Sequence, residues 1–300
     1  MTWALCLCRD GTIDFVLKRQ RTGSVICTSC GVLVGVNDDR CYNCNRRNPG
    51  LWGFAPLLRS LGGDLGFVPF VIGTCATIYV LTLIASRGDI GMGGGLFSLF
   101  SPNTQALFLF GASGALPVFG AGRWWTVLSA AWLHAGVLHI LFNMMAVRQL
   151  APSTADLYGP GRMVIIYTAG AVAGFALSSF AGAYLPGFFF LRGGRFTVGA
   201  SASIAGLIGA LLAYGHRTGS GMARSYAGRY ILMLVVYGFL LPGIDNYAHA
   251  GGFAGGYAAA RVLDPMKPER IDHVAIAVGC LTLSILSIVA SVLHGFQFLG

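Results

Sequence analysis

The chain is poor in charge. Asp, Glu, Lys and Arg make up 10% of its 300 residues while 55% are hydrophobic, against roughly 25% charged and 45–50% apolar in an average soluble domain. That shortage excludes a soluble globular protein. Acidic residues are the scarcer class, 11 against 20 Lys and Arg, for a net charge of +9. The apolar segments hold no Lys, Glu or Asp at their centres. There is no recognisable secretory signal either, because the first apolar stretch is short and interrupted by Cys and charged residues; the mature chain is expected to begin at or near Met1.

What the chain has instead is a series of uncharged apolar segments, several near the roughly 20 residues that cross a bilayer as a helix. The reading is an all-α polytopic membrane protein. The segments are Phe67–Ser86, Trp124–Val147, Met163–Tyr184, Val198–Tyr214, Tyr230–Leu241, Asn246–Val262 and Val274–Leu293. Between the first two, residues 87 to about 123 are apolar but broken by glycine and proline, too irregular for a simple span and long enough to be functional. The 44 glycines lie among Leu, Ala, Phe and Val, a pattern of close helix contact rather than of a flexible linker.

With the N-terminus inside, sixteen Lys and Arg residues fall on the inner side and four on the outer, Arg87, Arg123, Arg192 and Arg195. This positive-inside bias makes the net charge a topology signal, so no nucleic-acid partner is indicated. It places the N-terminus in the cytoplasm and, after seven spans, the C-terminus outside, in the plasma (inner) membrane.

Four of the eight cysteines form two pairs, Cys27-Thr-Ser-Cys30 and Cys41-Tyr-Asn-Cys44, ten residues apart. Each pair on a tight turn aims two thiolates at one ion, which is the spacing of a four-cysteine zinc ribbon. In a reducing compartment such thiols persist as metal ligands. A structural Zn2+ is therefore expected, supplying most of the folding free energy of so small a module. Cys6 and Cys8 carry no assignment, and Cys75 and Cys280 read as small buried apolar residues within spans.

Polar side chains inside spans are costly, and so are candidates for function. The second segment carries His134, His139 and Asn143, the last two four residues apart on one helical face. The fourth opens on Gly199-Ala200-Ser201, and the sixth holds His249 in Ala248-His249-Ala250-Gly251-Gly252. A serine hydroxyl becomes a nucleophile when a base takes its proton, and Ser201 with His249 can form that pair. The tetrahedral intermediate also needs donors for its oxyanion. The Ser201 N–H at its helix start, His139 and Asn143 are suitable.

His139-x-x-x-Asn143, Gly199-x-Ser201 and Ala248-His249-x-Gly-Gly252-x-x-x-Gly256, in this order and in these spans, resemble the rhomboid family of intramembrane serine proteases. The pair Trp124-Trp125 and the run Leu133-His134-Ala135-Gly136 look like the family's entry to the second span. The resemblance covers about residues 66–265. It implies a six-helix core plus a seventh C-terminal helix, no cofactor for catalysis, and transmembrane protein substrates reached within the lipid bilayer. Ser201 would be the nucleophile, His249 its general base and acid, and His139, Asn143 and the Ser201 N–H the oxyanion hole. Gly252 and Gly256 would pack the sixth helix against the fourth, and the irregular loop would be the family's membrane-embedded loop.

Three positions depart from the pattern. Ala202 follows the nucleophile where the family usually has glycine. Ala205 replaces an aromatic residue often stacked on the base. Thr126 follows the tryptophans in place of Arg, with Arg123 preceding them. A catalytically inactive scaffold that binds transmembrane helices is the alternative that Ala202 and Ala205 favour. A transporter is disfavoured, since the chain has no internal repeat and no charge at midspan.

Other residues have plainer readings. Gly111-Ala112-Ser113-Gly114 mimics the nucleophile motif but precedes the His/Asn segment, so Ser113 reads as a loop residue. Ser203 lies about 200° round the helix from Ser201 and reads as packing. His134 reads as a structural histidine bonded to the loop, and Asp245 as a helix cap. His216, His273 and His294 sit at span ends without special signal. The expected organisation is an unassigned segment 1–24, the zinc-ribbon-like module 25–50, a linker 51–65, the six-span core 66–265, and the seventh helix with the C-terminus, 266–300.

Overall fold

The computed structural model describes residues 19–56, 62–92, 99–188, 191–241 and 243–298. Cys6, Cys8 and most of the unassigned N-terminal segment lie outside them. The chain divides into two compact units with the boundary at residues 62 and 63.

In the first unit, strand β1 (Ser24–Ile26) pairs antiparallel with β2 (Leu33–Gly35), Val25 opposite Val34. Val25, Val34, Val36 and Ala55 are buried with Cys27 and Cys41. The two Cys-x-x-Cys turns repeat one geometry. Cys27 N–H donates to Val32 O and Gly31 N–H to Cys27 O; Cys41 N–H donates to Arg46 O and Asn45 N–H to Cys41 O. Gly31 and Asn45, each four residues after the first cysteine of its turn, both have positive φ, +76° and +57°. Glycine adopts that region freely, and Asn is among the residues that tolerate it best.

The second unit is helical: α1 (Phe67–Ala85), α2 (Thr104–Phe110), α3 (Thr126–Ser129), α4 (Val137–Tyr158), α5 (Pro160–Tyr184), α6 (Ser201–Thr218), α7 (Gly221–Leu240), α8 (Asn246–Val262) and α9 (Ile271–Gly295). Local sequence marks the ends. Asn103, Ser220 and Asp245 accept from the first-turn amides of Ala106, Ala223 and Ala248, as side chains of these types do at helix starts. Gly219 closes α6 at φ +73°. Among the described residues three helices, α1, α5 and α9, are long and apolar enough to cross a membrane, or four if the bent pair around residues 133–136 is one span.

Two sequence expectations are corrected. The second segment is no straight span: Thr126–Trp132 and Val137–Tyr158 meet at 94°. Leu133-His134-Ala135-Gly136 breaks the ladder there, with Leu133 and Gly136 in extended conformations. The loop after α1 is also partly regular, containing α2 and a wide helical turn at Leu116–Gly120. Neither was legible because short apolar helices interrupted by glycine carry no clear period.

Helices α5, α6 and α8 form the centre, held by glycine against backbone. A Cβ on Gly252 would run into the Ala202 backbone, and one on Gly256 into the Gly206 backbone. Gly206 in turn lies against Gly170 of α5, where a Cβ would come within 3.0 Å of the Gly170 Cα. The expected packing role of Gly252 and Gly256 is thus observed, and Gly170 and Gly206 extend the same seam into a third helix. At the other end of α5, the buried Arg162 guanidinium donates to Tyr158 O, Lys267 O, Pro268 O and His273 Nδ1, joining α5 to the segment before α9.

Candidate functional site

Helix α6 begins at Ser201, after Ala200. As the first helical residue, Ser201 has an N–H without an acceptor inside the helix, pointing out of its positive end. Gly199 precedes it at φ +129°, and its N–H is held by Ala130 O at 2.9 Å. A Cβ at 199 would meet His139 Cε1 and Nε2 at 2.7 Å and Ser201 Oγ at 3.8 Å. The His139 ring and the Ser201 hydroxyl therefore flank the same glycine, which needs to be glycine both for its φ and for the ring beside it.

The His139 ring has a definite polarity. Ala135 N–H donates to its Nδ1 at 3.3 Å, so Nδ1 presents a lone pair and the proton of the neutral ring sits on Nε2. The Cε1–Nε2 edge is the one turned toward Gly199. Asn143 is 6% exposed and spends one N–H on the His139 carbonyl at 2.8 Å. No hydrogen bond joins it to Ser201.

His249 sits in the first turn of α8. Its Nδ1 is buried without a hydrogen-bond partner, and no hydrogen bond joins the ring to Ser201. Asp245 does not reach the imidazole by a hydrogen bond; it caps α8, its Oδ1 accepting Ala248 N–H at 2.9 Å. The cap reading of Asp245 agrees with this geometry.

His134 is corrected. It is fully buried with both ring nitrogens unpartnered, so no loop hydrogen bond holds it; it stands edge-on to His139, with ring centroids 5.2 Å apart. Ser113 is also fully buried, among the hydroxyls of Thr126 and Ser179 at 3.4 Å, with no histidine among its partners. Its backbone pairs with Thr197, two residues before Gly199. Ser203 is buried as expected, and Ala202 sends its methyl toward Gly174, where a Cβ would come within 2.8 Å of it. Arg123 is buried and donates to Phe108 O and Ser291 O. Beside it, Trp125 Nε1–H donates to Ser291 Oγ at 3.1 Å. His216 lies 3.1 Å from the Tyr257 hydroxyl, and His294 stands edge-on to Trp125.

Sequence reasoning passed over Ser178, although two adjacent serines, Ser178-Ser179, stand inside an apolar span. Intramembrane polarity was the signal that could have singled them out.

In the other unit the four cysteine sulfurs lie within 4.8 Å of one another. Cys27 Sγ is 3.8 Å from Cys44 Sγ, and Cys30 Sγ 3.5 Å from Cys41 Sγ. A tetrahedral zinc site with Zn–S of about 2.3 Å has S···S edges of about 3.8 Å, so the donor set fits. None of the four is in a disulfide. The Val32 backbone holds the Cys30 thiol down at about 6, while burial pushes Cys44 up to about 11; a divalent cation would favour the thiolate at all four.

The fold and this arrangement define an integral membrane protein with a glycine-packed helical centre and a compact four-cysteine unit. More particularly, residues 121–265 match the Rhomboid domain family model. Among curated relatives, Rhomboid protease GluP of Bacillus subtilis (strain 168) is 31% identical over 192 residues, 60% of this chain and 36% of the relative. RHOMBOID-like protein 4 of Arabidopsis thaliana is 31% identical over 169 residues, 55% of this chain and 40% of the relative. Rhomboid-like protease 3 of Toxoplasma gondii is 24% identical over 221 residues, 70% of this chain and 76% of the relative. The chain spans well under half the length of the first two.

Proposed function

We propose that this protein is an intramembrane serine protease that cleaves transmembrane segments of other membrane proteins. The carrying observation is the Gly199 junction, where the Cε1–Nε2 edge of His139 and the Ser201 hydroxyl both lie beside one glycine just before a helix start. Ser201 Oγ attacks the scissile carbonyl while His249 takes its proton, and the carbonyl oxygen becomes an oxyanion. The Ser201 N–H, His139 Nε2–H and the remaining Asn143 N–H supply its donors. His249 then returns the proton to the leaving amine, and water hydrolyses the acyl-enzyme by the same steps in reverse order.

Similarity to relatives named as proteases supports this reading. We also infer the seven-span arrangement with a cytoplasmic N-terminus and outer C-terminus, in the plasma (inner) membrane, from the distribution of Lys and Arg. The domain division is proposed as read from the sequence: 25–50 as a structural zinc ribbon on Cys27, Cys30, Cys41 and Cys44, 66–265 as the catalytic core, and 266–300 as the added helix.

The test is cleavage of a model transmembrane substrate in liposomes, where Ser201→Ala and His249→Ala are each expected to remove activity. Full activity in both would overturn the mechanism. The scaffold reading is favoured by the missing Ser201–His249 hydrogen bond. A fluorophosphonate probe separates the two, since only a protease should label Ser201 in a His249-dependent manner.

A further inference from the structure

Asp245 does more than cap a helix. Its Oδ1 accepts Ala248 N–H at 2.9 Å and its backbone carbonyl accepts His249 N–H at 3.1 Å. Its second carboxylate oxygen, Oδ2, accepts from the Ser178 hydroxyl of α5. Ser178 is fully buried, and its oxygen accepts Gly194 N–H at 2.9 Å. Gly194 lies in the segment that leads into Ser201. One hydroxyl thus connects the first turn of the His249 helix to the Ser201 loop, donating to the one and accepting from the other.

That loop is fixed along its length. Gly194 O accepts Ala115 N–H at 2.9 Å and Arg195 O accepts Leu116 N–H at 3.2 Å. Ser113 and Thr197 exchange both backbone hydrogen bonds, at 3.0 and 2.8 Å, and Gly199 N–H reaches Ala130 O at 2.9 Å. Close approach at the junction requires a residue without Cβ: at Gly194 one would meet Thr197 Cβ at 2.8 Å, Asp245 Oδ2 at 2.9 Å and Ser178 Oγ at 3.0 Å.

We propose that Ser178 and Asp245 are positioning residues, a hydrogen-bonded relay that sets the Ser201 loop against the helix that presents His249. The proposal rests on the protease reading for its catalytic consequence, and on the geometry alone for the coupling. A cap needs one side-chain oxygen; the relay needs two. Asp245→Asn separates them, because the amide oxygen can still take Ala248 N–H while the amide nitrogen cannot accept from Ser178.

The experiment compares the full-length wild-type chain, Asp245→Asn, Ser178→Ala and the double variant in liposomes. Each single variant is expected to lower kcat by about tenfold to a hundredfold with KM unchanged, and to slow fluorophosphonate labelling of Ser201 in proportion. The double variant should fall no further than the weaker single, as residues acting as one unit do. Hydrogen exchange at the Gly194 amide should quicken by about tenfold in both singles. Single effects that multiply, or a Gly194 amide that exchanges as in the wild type, would overturn the relay. If the wild type itself shows no Ser201-dependent cleavage, the protease reading falls and the exchange measurement alone decides the coupling.

Discussion

The four-cysteine unit buries Val25, Val34, Val36 and Ala55 around its thiols, whereas the helical unit buries long stretches of α5 and α6 against α8 through glycine. The first is too small for a sufficient apolar core, and four sulfurs at zinc spacing offer a ligand-centred substitute. The second is set in lipid, where apolar burial does not drive helices together and backbone-to-backbone approach has to. The same amino acid marks the contrast. In the small unit Gly31 serves a turn at positive φ, while in the large one Gly206, Gly252 and Gly256 serve contact in ordinary helix.

The sharpest way to break this contrast is Gly252→Val. Its side chain would have to occupy the space of the Ala202 backbone, and backbone cannot turn aside as a flexible side chain can. The cost should be about 3 kcal/mol or more, enough to abolish the thermal transition of the helical unit in detergent and all cleavage with it. Metal content should stay at the wild-type level, since the thiol cluster belongs to the other unit.

Cys27→Ser is the complementary lesion. With three sulfurs left, bound zinc measured by atomic absorption should fall to about a tenth of the wild-type stoichiometry or below at equal free zinc. The thermal transition of the helical unit should persist. A helical unit that unfolds in this variant would show that the two depend on each other.

A smaller effect is expected from Gly199→Ala, which tests the site instead of the packing. The new methyl would press on His139 Cε1 and Nε2, at a φ of +129° that alanine disfavours. Displacing His139, the proposed oxyanion donor, should lower kcat by about a hundredfold, with the thermal midpoint shifted by only a few degrees. A wild-type kcat would remove His139 from the proposed oxyanion hole.

How much of this was legible in the sequence follows from the same contrast. The Cys-x-x-Cys pairs announce themselves, because metal geometry fixes both residue type and spacing. Ser201, His139, Asn143 and His249 stand out because polar groups are rare in apolar spans, and Gly252 and Gly256 because they accompany His249 at helical spacing. The break at Leu133–Gly136 was hidden, since four residues inside an apolar run carry no period. The roles of Ser113, Ser178 and Gly194 were hidden too. Each is defined by contact with a chain segment distant in sequence, Ser113 with Thr197, Ser178 with Asp245 and Gly194 with both Ser178 and Ala115, and no local pattern encodes such a meeting.

The mildest expected change concerns Ala202, the residue after Ser201 where the family usually has glycine. Its methyl is fully buried and turned toward α5, where Gly174 leaves room for it. Two small residues share one contact, so a methyl on α6 faces none on α5. Ala202→Gly removes that methyl and adds backbone freedom to the first turn, at about 0.5–1 kcal/mol, and should leave cleavage within about threefold of the wild type. Gly174→Ala would instead set two methyls against each other and also press on the Ala248 carbonyl, and should lose far more. If Ala202→Gly gave the larger loss, the methyl would be acting on the Ser201 site itself and not on the helix seam.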